Sequence, residues 1–515
     1  MRRRFSAFIL ILGLIAGVVP AASATTVSLH AEAAKATAAF SGSPNIAHVA
    51  NLPHATAPGA TAPSKGSDIE FATIDVTGLP QAQAAGIAGE RDFAVAGTIR
   101  IDGVDNSGMQ IVDITDPTNP VRAGLFECTN SQGDIQVFTR QVDAVTRTYA
   151  TYTTDSTGVT SSKCYRDAKE RGLGFRAEDS GTFIIDITNP YAPELVRFVE
   201  IPAGSHNQTV HPSGNYLYNS NNELTRPHTA AIEFFDITDL SAPRKLGDLS
   251  IAPGLDAHDI TFSEDGSRAY VAAITHTLIL NTEDPAKPSI IGRIVDPTVG
   301  IQHQSDPVTI DDPILGERTF LAITDEFAGA AGNGWCPGGG VTIYDITGDL
   351  EKTPVRVGYW NIPEFRPAGG GTDATGTSLR CTSHVLRFYP EQKLMTIGWY
   401  NAGIRVVDIS GLVGASVGVE PAATGNVTPG MKEIGYHWFA NSESWAAKIH
   451  RFDEDGSAYI FSNDLLRGLD VYRFDAGAPA SQEQGTWLNA AQAAARPNLR
   501  LTLNQLKPYC TLLAS

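Results

Sequence analysis

Positive charge is the first thing this chain is short of. Its 38 Lys and Arg stand against 56 Asp and Glu, a formal net charge of −18, which argues against a nucleic acid or an anionic membrane surface as partner. Long apolar runs are missing beyond the first 24 residues, so no later stretch is expected to span a bilayer. Familiar catalytic and ligand strings are scarce as well. There is no H-E-x-x-H pair and no C-x-x-C spacing, which excludes the zincin helix and the usual Cys-based zinc sites. "GGGTD" (369–373) lacks the Lys-Ser/Thr that completes a phosphate loop. "DEDGS" (453–457) lacks the glutamate that closes a calcium loop and reads as a hairpin turn.

What is present begins with a leader. "MRRR" is a basic start, "FSAFILILGLIAGVV" an apolar stretch, and "AASA" a small-x-small site, so a secretory signal over 1–24 is expected, cleaved after Ala24. Residues 25–66 are rich in Ala, Pro, Ser and Thr without a sustained period and read as a disordered linker. Residues 476–515 read as a C-terminal extension.

Between these ends the chain repeats itself. "GMQIVDITDPTNPVRAGLFE" (108–127) returns as "GTFIIDITNPYAPELVRFVE" (181–200) and "AAIEFFDITDLSAPRKLGDL" (230–249). Weaker copies follow at 276–295, 340–360 and 402–419, and a truncated "RGLDVYRFD" closes the series at 467–475. Alternating hydrophobics give a strand, the D-I-T-D-P string supplies Asx-turn and Pro-turn chemistry, and the next run gives a second strand. Another strand pair precedes most copies, as in "AHDITFSEDGSRAYVAAI" (257–274), which makes four antiparallel strands about every sixty residues. The expected fold is all-β, a seven-bladed β-propeller over 67–475, with the unassigned strand "DIEFATIDV" (68–76) completing the last blade and removing its open edge.

The copies with D-I-T-D-P-x-x-P after "QIVD", "FIID" and "RVVD" resemble the LVIVD repeat of bacterial surface and secreted propellers. That resemblance covers roughly 68–475 and implies a scaffold, not an activity. Blade four departs from it with "LILNTEDP", and blade six loses the prolines. In arrangement alone the chain is also similar to the selenium-binding-type methanethiol oxidases and carotenoid oxygenases, which hold a metal near the axis through histidines. None of their sequence motifs is found here, so no activity is carried over.

Propeller geometry sorts the remaining features. The D–A and B–C connections share one face, and the long insertions (152–180, 326–339, 362–381 and 411–446) are assigned to it, which marks it as the functional side. Cys128, Cys164, Cys336 and Cys381 fall on that face in adjacent blades, so Cys128–Cys164 and Cys336–Cys381 disulfides are expected, with Cys510 unpaired. Registering the inner strands aligns His206 with His258 and His384, and places His303 within one residue of the same slot, which Lys448 occupies in blade seven. Four imidazoles at one channel mouth are expected ligands for a single Cu, Fe or Zn ion. The bland alternative is that repeat ancestry places a histidine in each blade and the channel is merely polar. Glu223 and Glu326, at the ends of B strands, are candidate acid/base groups, and Asp259, Asp306, Tyr400 and Asn401 are candidates to orient the ligands. Two functional readings follow. One is an exported binding module, monomeric, whose partner is a protein, glycan or small molecule at the insertion-rich face; the other is a metal-dependent oxidoreductase or other enzyme with its site at the propeller axis.

Overall fold

Strand C of every blade ends on the same local device. Asp113, Asp186, Asp236, Asn281, Asp345, Asp408 and Asp475 each accept a hydrogen bond on Oδ1 from the backbone N–H two residues on, at 2.8–3.0 Å. This Asx turn reverses the chain without help from distant residues. Blade four departs from the repeat only in name, because Asn281 makes the bond that aspartate makes elsewhere.

The structure, a computed structural model, describes residues 40–479 apart from 101–104, 156–160, 177–179, 203, 222–230, 252–255, 328–334, 337, 363–365, 368–379 and 416–429. The expected signal peptide, Glu223 and residues 480–515 lie outside the described residues. Within them the chain forms seven antiparallel sheets of four or five strands, the expected seven-bladed propeller, and one two-stranded ribbon. The innermost strands are Lys65–Asp75, Ile135–Val142, Asn207–Val210, Asp259–Phe262, Gln302–Ile310, Leu386–Tyr389 and Ser444–Phe452. No described helix is long and apolar enough to cross a membrane.

Each blade also carries a one-residue register shift between strands C and D, for example at Ile111/Val112, Ile279/Leu280 and Val406/Val407. Such bulges add the local twist a blade needs. In blades one and four a glycine sits beside the shift because the next blade leaves no room. A Cβ on Gly124 would lie 2.1 Å from the Pro190 carbonyl oxygen, and one on Gly292 would lie 2.0 Å from that of Glu351.

The closing strand is not the one expected. "DIEFATIDV" belongs to Lys65–Asp75, the inner strand of blade one. Blade seven is completed by Ile46–Leu52, which pairs with Gly468–Phe474 and reproduces the C–D register shift between His48 and Ala50. Just before it, Phe40–Gly42 adds a fifth strand to blade six against Lys432–Phe439. Of the residues assigned to the linker, 40–52 therefore form a strap over the last two blades, and 65–66 open the inner strand of blade one. Composition hid it, because an edge strand acquires its partner from the far end of the chain and needs no local turn signal. The segment 411–446 is corrected too: it is not a D–A connection, because it contains Lys432–Phe439, strand D of blade six, which pairs with strand C, Ile404–Asp408.

The Cys128–Cys164 disulfide forms as expected, with a 5.0 Å Cα separation, and ties the exit of blade one to the helix Lys163–Glu170 in the B–C insertion of blade two. Cys381 is also disulfide-bonded. The expected partner Cys336 has a side chain outside the described set, but its neighbour Gly338 donates its N–H to the Cys381 carbonyl at 2.5 Å.

Candidate functional site

The sequence places His206, His258 and His384 just before their inner strands, and each is anchored in the same way. The backbone N–H of each donates to the adjoining B strand: His206 to Ser220, His258 to Ala272 and His384 to Gly398, at 2.7, 2.7 and 3.0 Å. His303 lies inside its strand, where the register shifts between Gln302 and Ser305. That bulge absorbs the one-residue offset left by the sequence and brings His303 into line. The four rings form a continuous arc from blade three to blade six, with centroid separations of 4.3, 4.5 and 4.2 Å. All four are buried, the most exposed, His206, to only 5%.

Blade seven breaks the arc. Trp445, not Lys448, stands beside His384, with ring centroids 4.4 Å apart and the Trp445 carbonyl 2.8 Å from His384 Nδ1. Lys448 lies deeper, where its Nζ is 2.8 Å from both Asp68 and Glu70. At the other end of the arc, Gln132 Nε2 approaches His206 Nε2 at 3.2 Å.

Burial keeps the imidazoles of His258, His303 and His384 neutral. It pushes His258 and His303 well below the ordinary histidine range and His384 down to about 3. Their hydrogen bonds then fix where the single ring proton sits. His384 Nδ1 faces a carbonyl that can only accept, so Nδ1 carries the proton and Nε2 is a bare lone pair. His258 is bonded to the His303 backbone, and its Nδ1 has no partner. His303 Nδ1 and His384 Nε2 likewise lack a hydrogen-bond partner.

Glu326 closes the arrangement. Its Oε2 is 3.7 Å from His303 Nε2 and its Oε1 is 3.6 Å from His384 Nε2. Burial pushes its carboxyl up, against the pull of the Tyr400 hydroxyl, which donates to Oε1 at 2.7 Å. Tyr400 adopts a φ of 37°, rare for a non-glycine residue. Two backbone bonds of 3.0 Å with Ser444 hold it there. The Arg380 guanidinium lies 4.5 Å from the Tyr400 ring centroid and pairs with Glu443 at 3.0 Å.

One ligand atom from each of His258, His303 and Glu326 falls within 4.8 Å of the others. Metal bonds to nitrogen and oxygen of roughly 2.0–2.2 Å allow two ligand atoms to be at most about 4.4 Å apart, so shifts of a few tenths of an ångström would seat an ion. The donor set of imidazole nitrogens and one carboxylate suits Zn, Cu or Fe.

Other expected residues serve different ends. Asp259 accepts from its neighbour Ile260 N–H at 2.8 Å and bonds Asn207. Asp306 accepts from Thr261 Oγ1 at 2.6 Å and Gln304 Nε2 at 3.2 Å. Neither has a hydrogen bond to an imidazole, since successive strand residues turn to opposite sides; both line an axial cavity of about 280 Å³ whose wall also includes His206, His303 and His384. Asn401 donates to the Ser442 carbonyl at 3.2 Å and supports the loop. Asp155, overlooked in the sequence, lies 3.7 Å from His206 Nδ1. It ends strand B of blade two, the position from which Glu326 was picked in blade five.

Burial raises Asp306 to about 6. The sign of the consequence is fixed: the folded state holds this proton more tightly than the unfolded chain, so the penalty grows as pH rises from about 4 through 6. Asp306→Asn keeps acceptors for Thr261 and removes the charge. It is expected to unfold later than the parent at pH 8, by on the order of 1–3 kcal/mol, and to match it near pH 4, as chemical denaturation at the two pH values would show. Equal curves at pH 8 would mean that the carboxylate carries no burial penalty.

By sequence the chain matches no curated protein. The LVIVD repeat family matches residues 103–127, which contain the first and clearest copy. Among solved structures, a protein from Lactobacillus plantarum is 11% identical, covering 82% of this chain and 97% of its own, with a TM-score of 0.42. The periplasmic gluconolactonase of Pseudomonas aeruginosa is 10% identical, covering 68% and 94%, with a TM-score of 0.39. Likenesses at this level carry no argument about ligand or chemistry.

Proposed function

We propose that the protein is an exported propeller that binds one transition-metal ion at its axial mouth, through His258, His303 and Glu326, with His206 and His384 completing the wall. One observation carries this reading: His258, His303 and Glu326 each bring a ligand atom within 4.8 Å of the others, and the unpartnered His384 Nε2 lies 3.6 Å from the same carboxylate. Lone pairs facing a carboxylate repel unless a cation or proton lies between them, and a metal ion supplies that cation. The disulfides support an oxidising compartment. The face carrying most of the insertions is then the binding surface for a small molecule, glycan or protein. A second reading, a metal-dependent oxidoreductase, draws on the raised carboxyl of Glu326 and the Tyr400 hydroxyl bonded to it, a pair able to hold and release a proton beside the ion.

Protein made without a His-tag is expected to carry about one ion per chain by elemental analysis. His258→Ala should lower that at least tenfold with an unchanged circular dichroism spectrum, since the residue is a donor and not a core anchor. No stoichiometric metal after reconstitution with Cu, Zn, Fe and Mn would overturn the reading and leave a polar channel.

A further inference from the structure

Beneath the imidazoles the axial cavity carries more negative than positive charge. Its wall includes Asp68, Glu70, Asp134, Asp259 and Asp306, against Lys448 and Arg387. Both cations are already engaged: Lys448 with Asp68 and Glu70, and Arg387 with Glu70. Asp134, Asp259 and Asp306, from blades two, four and five, have no ion pair among the described residues. Asp259 and Asp306 receive only neutral hydrogen bonds.

Two further acceptors on this wall are unsatisfied. Asn207 is 8% exposed and Gln132 is 2% exposed, and Asn207 Oδ1 and Gln132 Oε1 have no hydrogen-bond partner. Buried acceptors without donors are costly unless a ligand or water supplies the donor. The missing component is therefore positively charged and rich in N–H groups.

Its shape follows from the spacing. Among the described residues, the group of metal-ligating side chains close enough to share an ion is His258, His303 and Glu326, and none of the cavity carboxylates belongs to it. A single inorganic cation cannot satisfy acceptors spread over several blades, but a short chain with an ammonium at each end can. Val210, Ile260 and Leu386 offer apolar wall for the methylenes between, and Trp445 offers a ring for the cationic end. At about 280 Å³ the cavity accepts a molecule of that size.

We propose that the axial cavity is a binding site for a small linear diamine, held by Asp134, Asp259 and Asp306 and by the carbonyl oxygens of Asn207 and Gln132. The proposal does not rest on whether His258, His303 and Glu326 hold a metal.

Calorimetry on the full mature chain, with 1,4-diaminobutane as probe and 1,4-butanediol as its uncharged counterpart, tests this. The diamine is expected to bind with one-to-one stoichiometry and to raise Tm, while the diol does neither. Asp306→Asn and Asp134→Asn should each weaken binding at least tenfold, and thermal unfolding shows that the variants remain folded. No saturable binding below about 10 mM, equal binding of the diol, or equal stabilisation by Ca2+ would overturn the proposal. Elemental analysis of the same samples separates it from the metal reading. Diamine binding without metal sinks only the latter, and metal without diamine binding sinks only this one.

Discussion

A chain that begins at residue 56 is expected to fail to close its ring. It lacks Phe40–Gly42 and Ile46–Leu52, so blade seven ends on the bare edge of Gly468–Phe474 and blade six loses its fifth strand. Six residue pairs join Ile46–Leu52 to its neighbour, from Ile46 opposite Phe474 to Leu52 opposite Leu469. Side chains reinforce the ladder: His48 Nε2 lies 2.8 Å from Asp470 Oδ1, Asn51 Nδ2 donates to the same carboxylate at 2.9 Å, and His54 Nε2 meets Asn463 at 2.6 Å. At roughly 0.5–1.5 kcal/mol net per hydrogen bond, the strap contributes on the order of 5 kcal/mol or more, comparable with the whole stability of many domains. The open edge would also template association. The truncated chain should therefore unfold at least 10 °C below one starting at residue 40, and should form oligomers by light scattering. Equal Tm and a clean monomer would mean that the last blade stands on three strands.

Lys448→Met should cost nearly as much. Lys448 is 3% exposed and reaches across the seam between blade seven and blade one to Asp68 and Glu70. Burial alone would raise Glu70, but Arg387 and Lys448 override it and bring it down to about 2. Burial also raises Asp68, against the pull of Lys448. Methionine fills the same space without charge, so Asp68 loses its cation, at a cost of about 3–5 kcal/mol. The sign with pH distinguishes charge from packing. In the parent, Glu70 contributes stability above its ordinary range near 4.5 that is lost as pH falls toward 2. In the variant Glu70 keeps Arg387, whereas Asp68 stays buried without its cation and is pushed further up, so lowering the pH from 8 to 5 favours its protonation and narrows the deficit. A constant deficit in urea midpoints at both values would show that packing, not the ion pair, had been lost.

Sequence reveals most of this architecture because each blade carries its own local punctuation. Asp113, Asp186, Asp236, Asp345 and Asp408 announce the same turn wherever they fall, and the alternating residues before them announce the strand. Where the determinant is non-local, legibility ends. Ile46–Leu52 gains its identity only from a partner at the other end of the chain. The site divides in the same way. The recurrence of His206, His258 and His384 at one offset from an inner strand was visible, whereas the placement of His303 depended on a bulge. The bond from Tyr400 to Glu326 joins residues from different blades, which no spacing encodes. Asp155 was within reach, since it ends a B strand as Glu326 does.

The strap also sets an order of events. His48 and Asp470 are separated by 422 positions in the sequence, so the strand made first waits for the one made last. Until residue 474 is available, each completed blade can gather on its predecessor, but the ring has no means of locking. Closure is thus the latest step of folding and the slowest, because the longest loop in the molecule must be formed before any of its contacts are gained. Through most of its synthesis the chain is an open arc with one unpaired edge.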